Sequence, residues 1–196
     1  MQDIVKSVNI TLESVGLPAR PPQETAAFIG KGVKDLIEDA LGEDRPVSIG
    51  AAIKIYKDAY RRHIFDTTVL YPGTVETLKY FKNTRKAIMS NKSKEFIDMA
   101  LDRFAIRQYF VKVAAGDDEK QRKPSIQPVI KMLEDFKVKP QRAVIVGDSP
   151  LDIETGNKAG ILACGALYGI GKKEEVVASR PDFLITSISE LKDIFE

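Results

Sequence analysis

Two aspartates, Asp148 and Asp152, follow a short β-branched run at residues 144–146. The run predicts a buried strand that ends at Gly147, and the Ser-Pro pair after Asp148 is typical of a helix start. Open α/β sheets bind ligands at such strand-to-helix crevices, and Mg²⁺ prefers oxygen ligands. The pattern therefore indicates a Mg²⁺ site made by both carboxylates, or else a capping box in which Asp152 only stabilises the helix start.

Other polar side chains lie where predicted strands end or predicted helices begin. Ser90 and Asn91 close a strand predicted at residues 85–89, and a hydroxyl with backbone N–H groups at such a place can hold a phosphate oxygen. Local capping by Ser90 or Ser93 is the alternative. Lys123 precedes a predicted helix, where an ammonium group can neutralise phosphate charge, although a lone lysine is usually solvated surface.

Composition limits the chemistry that the chain can carry. Its 196 residues are 43% hydrophobic and 30% charged with a net charge of +2, which is typical of a soluble globular protein and argues against nucleic-acid or membrane partners. Cys164 is the only cysteine, so no internal disulfide is expected and a reducing cytoplasm fits. His63 is the only histidine, which argues strongly against a multi-histidine zinc site and a histidine-dependent triad.

The pattern of apolar residues divides the chain into two regions. Residues 1–68 show helical periodicity and predict a small helical domain with three helices, within residues 4–15, 29–41 and 49–60. Residues 69–196 alternate strands with helices, which predicts a parallel sheet covered on both faces. Strands are predicted at 85–89, 109–114, 144–146, 161–166 and 183–185. The predicted fold class is α/β, a doubly wound parallel sheet with a helical domain.

Three segments in this order resemble the haloacid dehalogenase superfamily of hydrolases. They are Ser90-Asn91-Lys92, Lys123-Pro124-Ser125 and the run V-G-D-S-P-L-D-I-E-T-G-N-K-A-G from Val146. The likeness is greatest to the phosphoglycolate phosphatase branch, whose α-helical cap the segments I-V-K-S-V-N-I-T-L-E-S-V-G-L-P and F-I-G-K-G-V-K-D-L-I-E-D-A-L resemble. The resemblance covers nearly all of the chain.

The resemblance implies a Mg²⁺-dependent phosphatase that acts on a small phosphorylated metabolite similar to phosphoglycolate. Ser90 would hydrogen-bond the transferring phosphoryl group, and Lys123 would neutralise charge on the phosphate. Asp148 would bind Mg²⁺ directly or through water, with Asp152 supporting the metal or the loop. These roles suit phosphoryl transfer, which needs mainly positioning and charge stabilisation.

The resemblance also implies substrate-binding residues. Asn91 is one candidate, and Gly30, Lys31 and Gly32 would form a cap loop that reaches over the substrate. A plain helix start at these glycines is an equal alternative. The sequence does not determine the oligomeric state, and a homodimer is one candidate.

One motif of the family is not found in the sequence. The family's first motif, a strand ending in D-x-D-x-T, carries the nucleophilic aspartate, and residues 1–4, M-Q-D-I, begin just after the place where it would end. The segment 65–68, F-D-T-T, lacks the second aspartate, and Asp182 lies at the wrong end of a predicted strand. The chain of residues 1–196 is therefore predicted to be inactive.

Three hypotheses remain open. The first is a phosphatase whose first dozen or so residues precede Met1 and are not part of this sequence. The second is a non-catalytic relative that binds a phosphorylated ligand or a protein partner, and the third is a dehalogenase or phosphomutase. In the family, the first-motif strand lies between the strand ending at Ser90 and the strand ending at Gly147. We therefore expect these two strands either to pair directly or to receive a segment from another chain.

Overall fold

The computed structural model describes residues 1–43 and 45–195. In the helical region, residues 1–68, the regular elements among the described residues are all helices. The three helices predicted there are present. A short helix at Pro22–Ala27 was not predicted, because six residues are too few to show a periodicity. The four helices are α1 (Gln2–Ser14), α2 (Pro22–Ala27), α3 (Val33–Leu41) and α4 (Ile49–His63).

Apolar side chains from α1, α3 and α4 form one core in the helical region. Val8, Leu12, Ile37 and Ala52 are each at most 1% exposed. Phe96, from a helix outside this region, joins the same cluster. The helical region thus packs against the rest of the chain through shared apolar side chains. The division into domains at residues 1–68 and 69–196 stays a prediction.

Strands and helices alternate in the remainder of the chain, as the sequence predicts. The strands are β1 (Ala87–Met89), β2 (Lys112–Ala114), β3 (Val144–Gly147), β4 (Leu162–Ala166) and β5 (Phe183–Ile185). The helices are α5 (Thr74–Tyr80), α6 (Lys94–Arg103), α7 (Gln127–Phe136), α8 (Pro150–Ala159), α9 (Lys173–Ala178) and α10 (Leu191–Ile194). The longest described helix, α4, has 15 residues, and none within the described ranges could cross a membrane.

Two element predictions need correction. The strand predicted at residues 109–114 is only β2, because Arg107–Tyr109 forms a 3₁₀ turn before it. The apolar pattern of residues 189–195 predicts a final helix, but the structure has only α10 there, preceded by a 3₁₀ turn at Ile188–Glu190. Short apolar segments do not distinguish strand, turn and helix by periodicity alone.

The strands form two separate parallel sheets in the described part of the chain. One contains β1 and β2, and the other has the order β3-β4-β5. Val146 of β3 lies opposite Cys164 of β4, which is fully buried. β1 has no strand partner besides β2, and β3 none besides β4, among the described residues. Direct pairing of β1 with β3, one of the two expected outcomes, is therefore not found.

Candidate active site

The loop after β3 positions Asp152 in a buried capping arrangement. Asp152 is 5% exposed, and its Oδ2 accepts hydrogen bonds from the Ser149 N–H at 3.1 Å and the Ser149 hydroxyl at 2.5 Å. The capping box at the start of α8, one of the two interpretations of this segment, is therefore present. The approach of Asp152 requires Gly147, because a Cβ at this position would collide with the Asp152 carboxyl group.

Replacing Gly147 by alanine should destabilise the protein, because the new methyl group must displace Asp152. We expect the free energy of unfolding to fall by about 1–3 kcal/mol, the usual cost of overpacking. Gly50→Ala is the matched control, since Gly50 lies on α4 and a Cβ there meets no atom within 4 Å. Denaturant unfolding of both variants should show a lower free energy of unfolding only for Gly147→Ala. An equal change in the two variants would contradict the close packing at Gly147.

Asp148 is held by the loop that follows β4. Its Oδ2 accepts a hydrogen bond from the Ile170 N–H at 2.7 Å and a longer one from the Gly171 N–H at 3.4 Å. A Cβ on Gly169 would collide with the Asp148 side chain. This G-I-G loop was not predicted from the sequence, although its glycines just after a predicted strand were an available signal. Oδ1 of Asp148 makes no hydrogen bond within the described residues, so the carboxylate can still bind a cation.

The two aspartates differ in how well they fit Mg²⁺. Both oxygens of Asp152 already have partners, since Oδ1 accepts from the Lys123 ammonium at 2.5 Å. Oδ1 of Asp148, by contrast, has no hydrogen-bond partner among the described residues. Residues 1–43 and 45–195 contain no group of three or more His, Cys, Asp or Glu side chains that could hold a metal. The geometry favours Asp148 as a ligand and Asp152 as the support of the loop and of Lys123. Both metal roles stay predictions.

Lys123 connects the end of β1 to the start of α8. Its ammonium pairs with Asp152, and the two side chains are 12% and 7% exposed. Its backbone N–H donates to Oδ1 of Asn91 at 2.7 Å, two residues after β1. The polar groups that follow β1 and β3 are thus joined through Lys123, although the two strands do not pair.

Ser90 lies at the end of β1 without a direct hydrogen bond to Lys123 in the described part of the chain. Its backbone N–H donates to the carbonyl of Ala114 at 2.9 Å and extends the β1–β2 pairing. Its hydroxyl oxygen accepts from the Lys92 N–H at 3.2 Å. That bond lies before α6, whose N-cap is Ser93, and it leaves the Ser90 hydroxyl proton free to donate to a phosphate oxygen.

The three predicted cap-loop residues have different surroundings. The Gly30 carbonyl accepts from the Asn91 amide at 2.9 Å, so this loop does reach the end of β1. Lys31 is exposed, and Gly32 is the N-cap of α3, as the helix-start alternative expects. Asn91 is 6% exposed, and its amide binds backbone groups of Gly30 and Lys123. The geometry therefore favours a positioning role for Asn91 over direct substrate contact.

Lys92 is a further polar residue at this site, and only its position beside Ser90 could have indicated it. Its ammonium donates to the Tyr60 hydroxyl at 2.6 Å and lies 4.8 Å from the centre of the Tyr60 ring. Burial lowers the pKa of Lys92 to about 8, with the charge of Asp3 acting weakly in the opposite direction. Lys92 thereby links the helical region to the end of β1.

The low pKa of Lys92 predicts a pH-dependent contribution to stability. Because the unfolded chain binds this proton up to a pH near 10.5 and the folded chain only to about 8, the wild type gains stability as pH rises across this interval. Lys92→Met should lack that gain, so its stability relative to wild type should fall by up to about 3 kcal/mol from pH 7 to pH 10.5. Denaturant titrations at both pH values test this, and a constant difference would contradict it.

Asp3 joins the two ends of the helical region and is almost fully buried, at 2% exposure. Burial alone would raise the pKa of Asp3, but hydrogen bonds from the hydroxyls and N–H groups of Thr67 and Thr68 more than offset this and lower it. The neighbouring Asp66 instead pairs near the surface with Lys6 and with His63. His63 therefore has a partner, and the surface position of Asp66 agrees with its rejection as nucleophile.

Known proteins resemble this chain over nearly its full length. The model of the haloacid dehalogenase-like hydrolase family matches residues 1–166. Phosphoglycolate phosphatase of Aquifex aeolicus is 32% identical over 202 aligned residues, which cover 100% of this chain and 90% of that protein. The enzyme of that name from Vibrio parahaemolyticus is 28% identical, with coverage of 98% and 88%.

Solved structures agree on the fold. A crystal structure from Haemophilus somnus, described as a predicted phosphoglycolate phosphatase, superposes with a TM-score of 0.87 at 24% sequence identity. The superposition covers 100% of this chain and 91% of that one. With the family model matching most of its length, this chain belongs to the haloacid dehalogenase-like hydrolase family.

Proposed function

We propose that this chain carries the phosphate-binding and metal-binding part of a Mg²⁺-dependent phosphatase for a small phosphorylated metabolite similar to phosphoglycolate. The observation that carries the proposal is the connection from Asn91 through Lys123 to Asp152. In this connection the Lys123 ammonium, on a side chain that is 12% exposed, lies between the polar ends of β1 and β3. Relatives named phosphoglycolate phosphatase support the substrate class.

Each proposed role follows from the chemistry of the side chain. The Lys123 ammonium offers positive charge to a phosphate, and Asp152 holds it in place. The Ser90 hydroxyl donates to a phosphate oxygen, and Asp148 would hold Mg²⁺ through its free oxygen. When bound, Mg²⁺ would neutralise further charge on the phosphate. Fixed charges of this kind are what phosphoryl transfer requires.

The helical region would close the site against water. Its loop at Gly30 contacts Asn91, and its helix α4 contacts Lys92 through Tyr60. Covering an active site in this way excludes water and selects substrates by size and charge. The attacking carboxylate is not among these groups, so we propose that residues 1–196 alone bind the ligand and do not hydrolyse it.

Thermal unfolding with and without ligand tests the binding proposal. Mg²⁺ with inorganic phosphate or 2-phosphoglycolate should raise the melting temperature, because a ligand at about 100 times its Kd adds about 2.7 kcal/mol to the free energy of unfolding. Asp148→Asn should lose the Mg²⁺-dependent part of this shift. Asp193→Asn, an exposed aspartate of α10, is the control and should keep it. An undiminished shift in Asp148→Asn would place the ion elsewhere.

A non-catalytic relative that only binds a phosphorylated ligand is the second candidate. Residues 1–196 lack D-x-D-x-T, so they do not by themselves distinguish this candidate from the phosphatase. Both candidates predict the same ligand binding, so they separate only when an attacking carboxylate is supplied.

A further inference from the structure

Two side chains connect the loop Gly30–Gly32 of the helical region to the segment that contains Lys123. Asn91 hydrogen-bonds the carbonyl of Gly30 and the backbone of Lys123, and Arg122 contacts both α3 and Gly32. We propose that Asn91 and Arg122 are positioning residues that make this loop and the Lys123 segment move as one unit. The proposal rests on the proposed function in taking Lys123 as the phosphate-binding group.

Both polar atoms of the Asn91 side chain take part in this connection. Its Nδ2 donates to the carbonyls of Gly30 at 2.9 Å and Lys123 at 3.1 Å, and its Oδ1 accepts from the Lys123 N–H at 2.7 Å. The residue is 6% exposed, so a side chain without these donors and acceptor would leave buried backbone groups unpaired. Displacing the loop therefore breaks a bond to the same amide that fixes the Lys123 backbone.

Arg122 makes a second connection beside the first. Its Nη1 lies 3.3 Å from Oδ2 of Asp35 on α3, and its side chain is 12% exposed. The guanidinium packs against Gly32, where a Cβ would come within 2.9 Å of it. Gly32 also has a φ of 123°, which favours glycine. The loop is thus shaped to admit the guanidinium of the residue next to Lys123.

Gly116 contacts both Arg122 and Asn91, and so links the two connections. Its carbonyl accepts from Nε of Arg122 at 2.7 Å, and its N–H donates to the Lys92 carbonyl at 2.9 Å. A Cβ on Gly116 would collide with the backbone of Asn91. Arg122 and Asn91 are therefore anchored on the same point of the core, so a shift of either one is transmitted to the other. Closure of the helical region consequently sets where Lys123 lies.

Amide hydrogen exchange of the full chain tests the coupling. Asp35→Ala removes the contact of α3 with Arg122 from 87 residues away, and we expect exchange of the Lys123 amide to accelerate about threefold, the scale of one partly exposed ion pair. Asn91→Asp keeps the acceptor for the Lys123 N–H but loses both donors, and we expect an acceleration of about tenfold or more. Asp39→Ala, an exposed aspartate of the same helix, is the control and should change nothing.

A second amide distinguishes local coupling from a global loss of stability. The amide of Ala163, on the buried strand β4, reports global stability and should keep its exchange rate in Asp35→Ala. Unchanged Lys123 exchange in Asp35→Ala, or equal acceleration at Lys123 and Ala163, would overturn the coupling. If Asn91→Asp does not fold, Asp35→Ala decides alone, because Asp35 lies at a partly exposed position.

Calorimetry with inorganic phosphate and Mg²⁺ distinguishes this proposal from the proposed function. Weaker phosphate binding in Asp35→Ala, with normal binding in Asp39→Ala, would support coupling that extends to the ligand. A wild-type chain that binds no phosphate would refute the proposed function, while the exchange rates would still decide whether the loop and the Lys123 segment are coupled.

Discussion

An amino-terminal strand ending in D-x-D-x-T, added before Met1, is expected to create Mg²⁺-dependent phosphatase activity in this chain. The extended protein should turn over an aryl phosphate and 2-phosphoglycolate, whereas residues 1–196 alone should stay near background. The turnover rate of the extended protein should exceed that of residues 1–196 by a factor of roughly 10⁴ or more, which is the scale of the rate lost when a hydrolase loses its nucleophile. Steady-state assays of both proteins measure it.

The physical reason lies between the two sheets. β1 and β3 each lack a second strand partner within the described residues, and the family resemblance places the first-motif strand between them. Unpaired backbone groups cost about 1–3 kcal/mol each when they are buried. A strand in this position would pair both edges and bring its terminal carboxylates to the level of Ser90 and Asp148. The extension should therefore raise stability as well as activity.

Two controls separate these effects. An extended protein with asparagine in place of the first aspartate of the added motif should gain the stability without the activity. An extended protein that binds phosphate but does not hydrolyse either substrate would favour the non-catalytic alternative. Robust turnover by the unextended chain, lost in Asp148→Asn, would show that the nucleophile lies within residues 1–196.

Most elements of the fold could be predicted because their apolar patterns are long or bounded by turn residues. Helix α4 shows four turns of periodicity, and β3 is a β-branched run ended by glycine. The six-residue helices α2 and α9 were missed because they are too short for a pattern. The separation into two sheets was not predicted as such, since pairing depends on which neighbours are present and not on the strands themselves.

Residues of the candidate site were predictable where they follow a strand or, like Lys123, precede a helix. Ser90 and Asp148 were found from that position, and Asp152 from its spacing to Asp148. Spacing could not decide between metal ligation and capping for Asp152, because the deciding contact comes from Lys123, 29 residues away. The partners of Asn91 and Arg122 lie 61 and 87 residues away, and no local pattern encodes such contacts.

Removal of the Lys123 ammonium should produce the largest loss of stability among the single substitutions considered. Lys123→Met leaves the buried Asp152 carboxylate without its counter-ion, and it keeps only its bonds to Ser149. Breaking a buried pair on one side typically costs about 3–5 kcal/mol, a large part of the roughly 5–15 kcal/mol that stabilises a domain. Denaturant unfolding of wild type and variant measures the loss.

Two further variants establish that the loss comes from the unpaired charge. Lys158→Met removes an exposed ion pair with Glu154 on α8 and should cost less than about 1 kcal/mol. In the Lys123→Met background, Asp152→Asn removes the uncompensated charge, so the double variant should lose less than the sum of the two single losses. An equal loss of unfolding free energy in Lys123→Met and Lys158→Met would contradict this prediction. It would mean that water stabilises the Asp152 carboxylate as well as Lys123 does, so that the ion pair with Asp152 does not hold the ammonium group at the site.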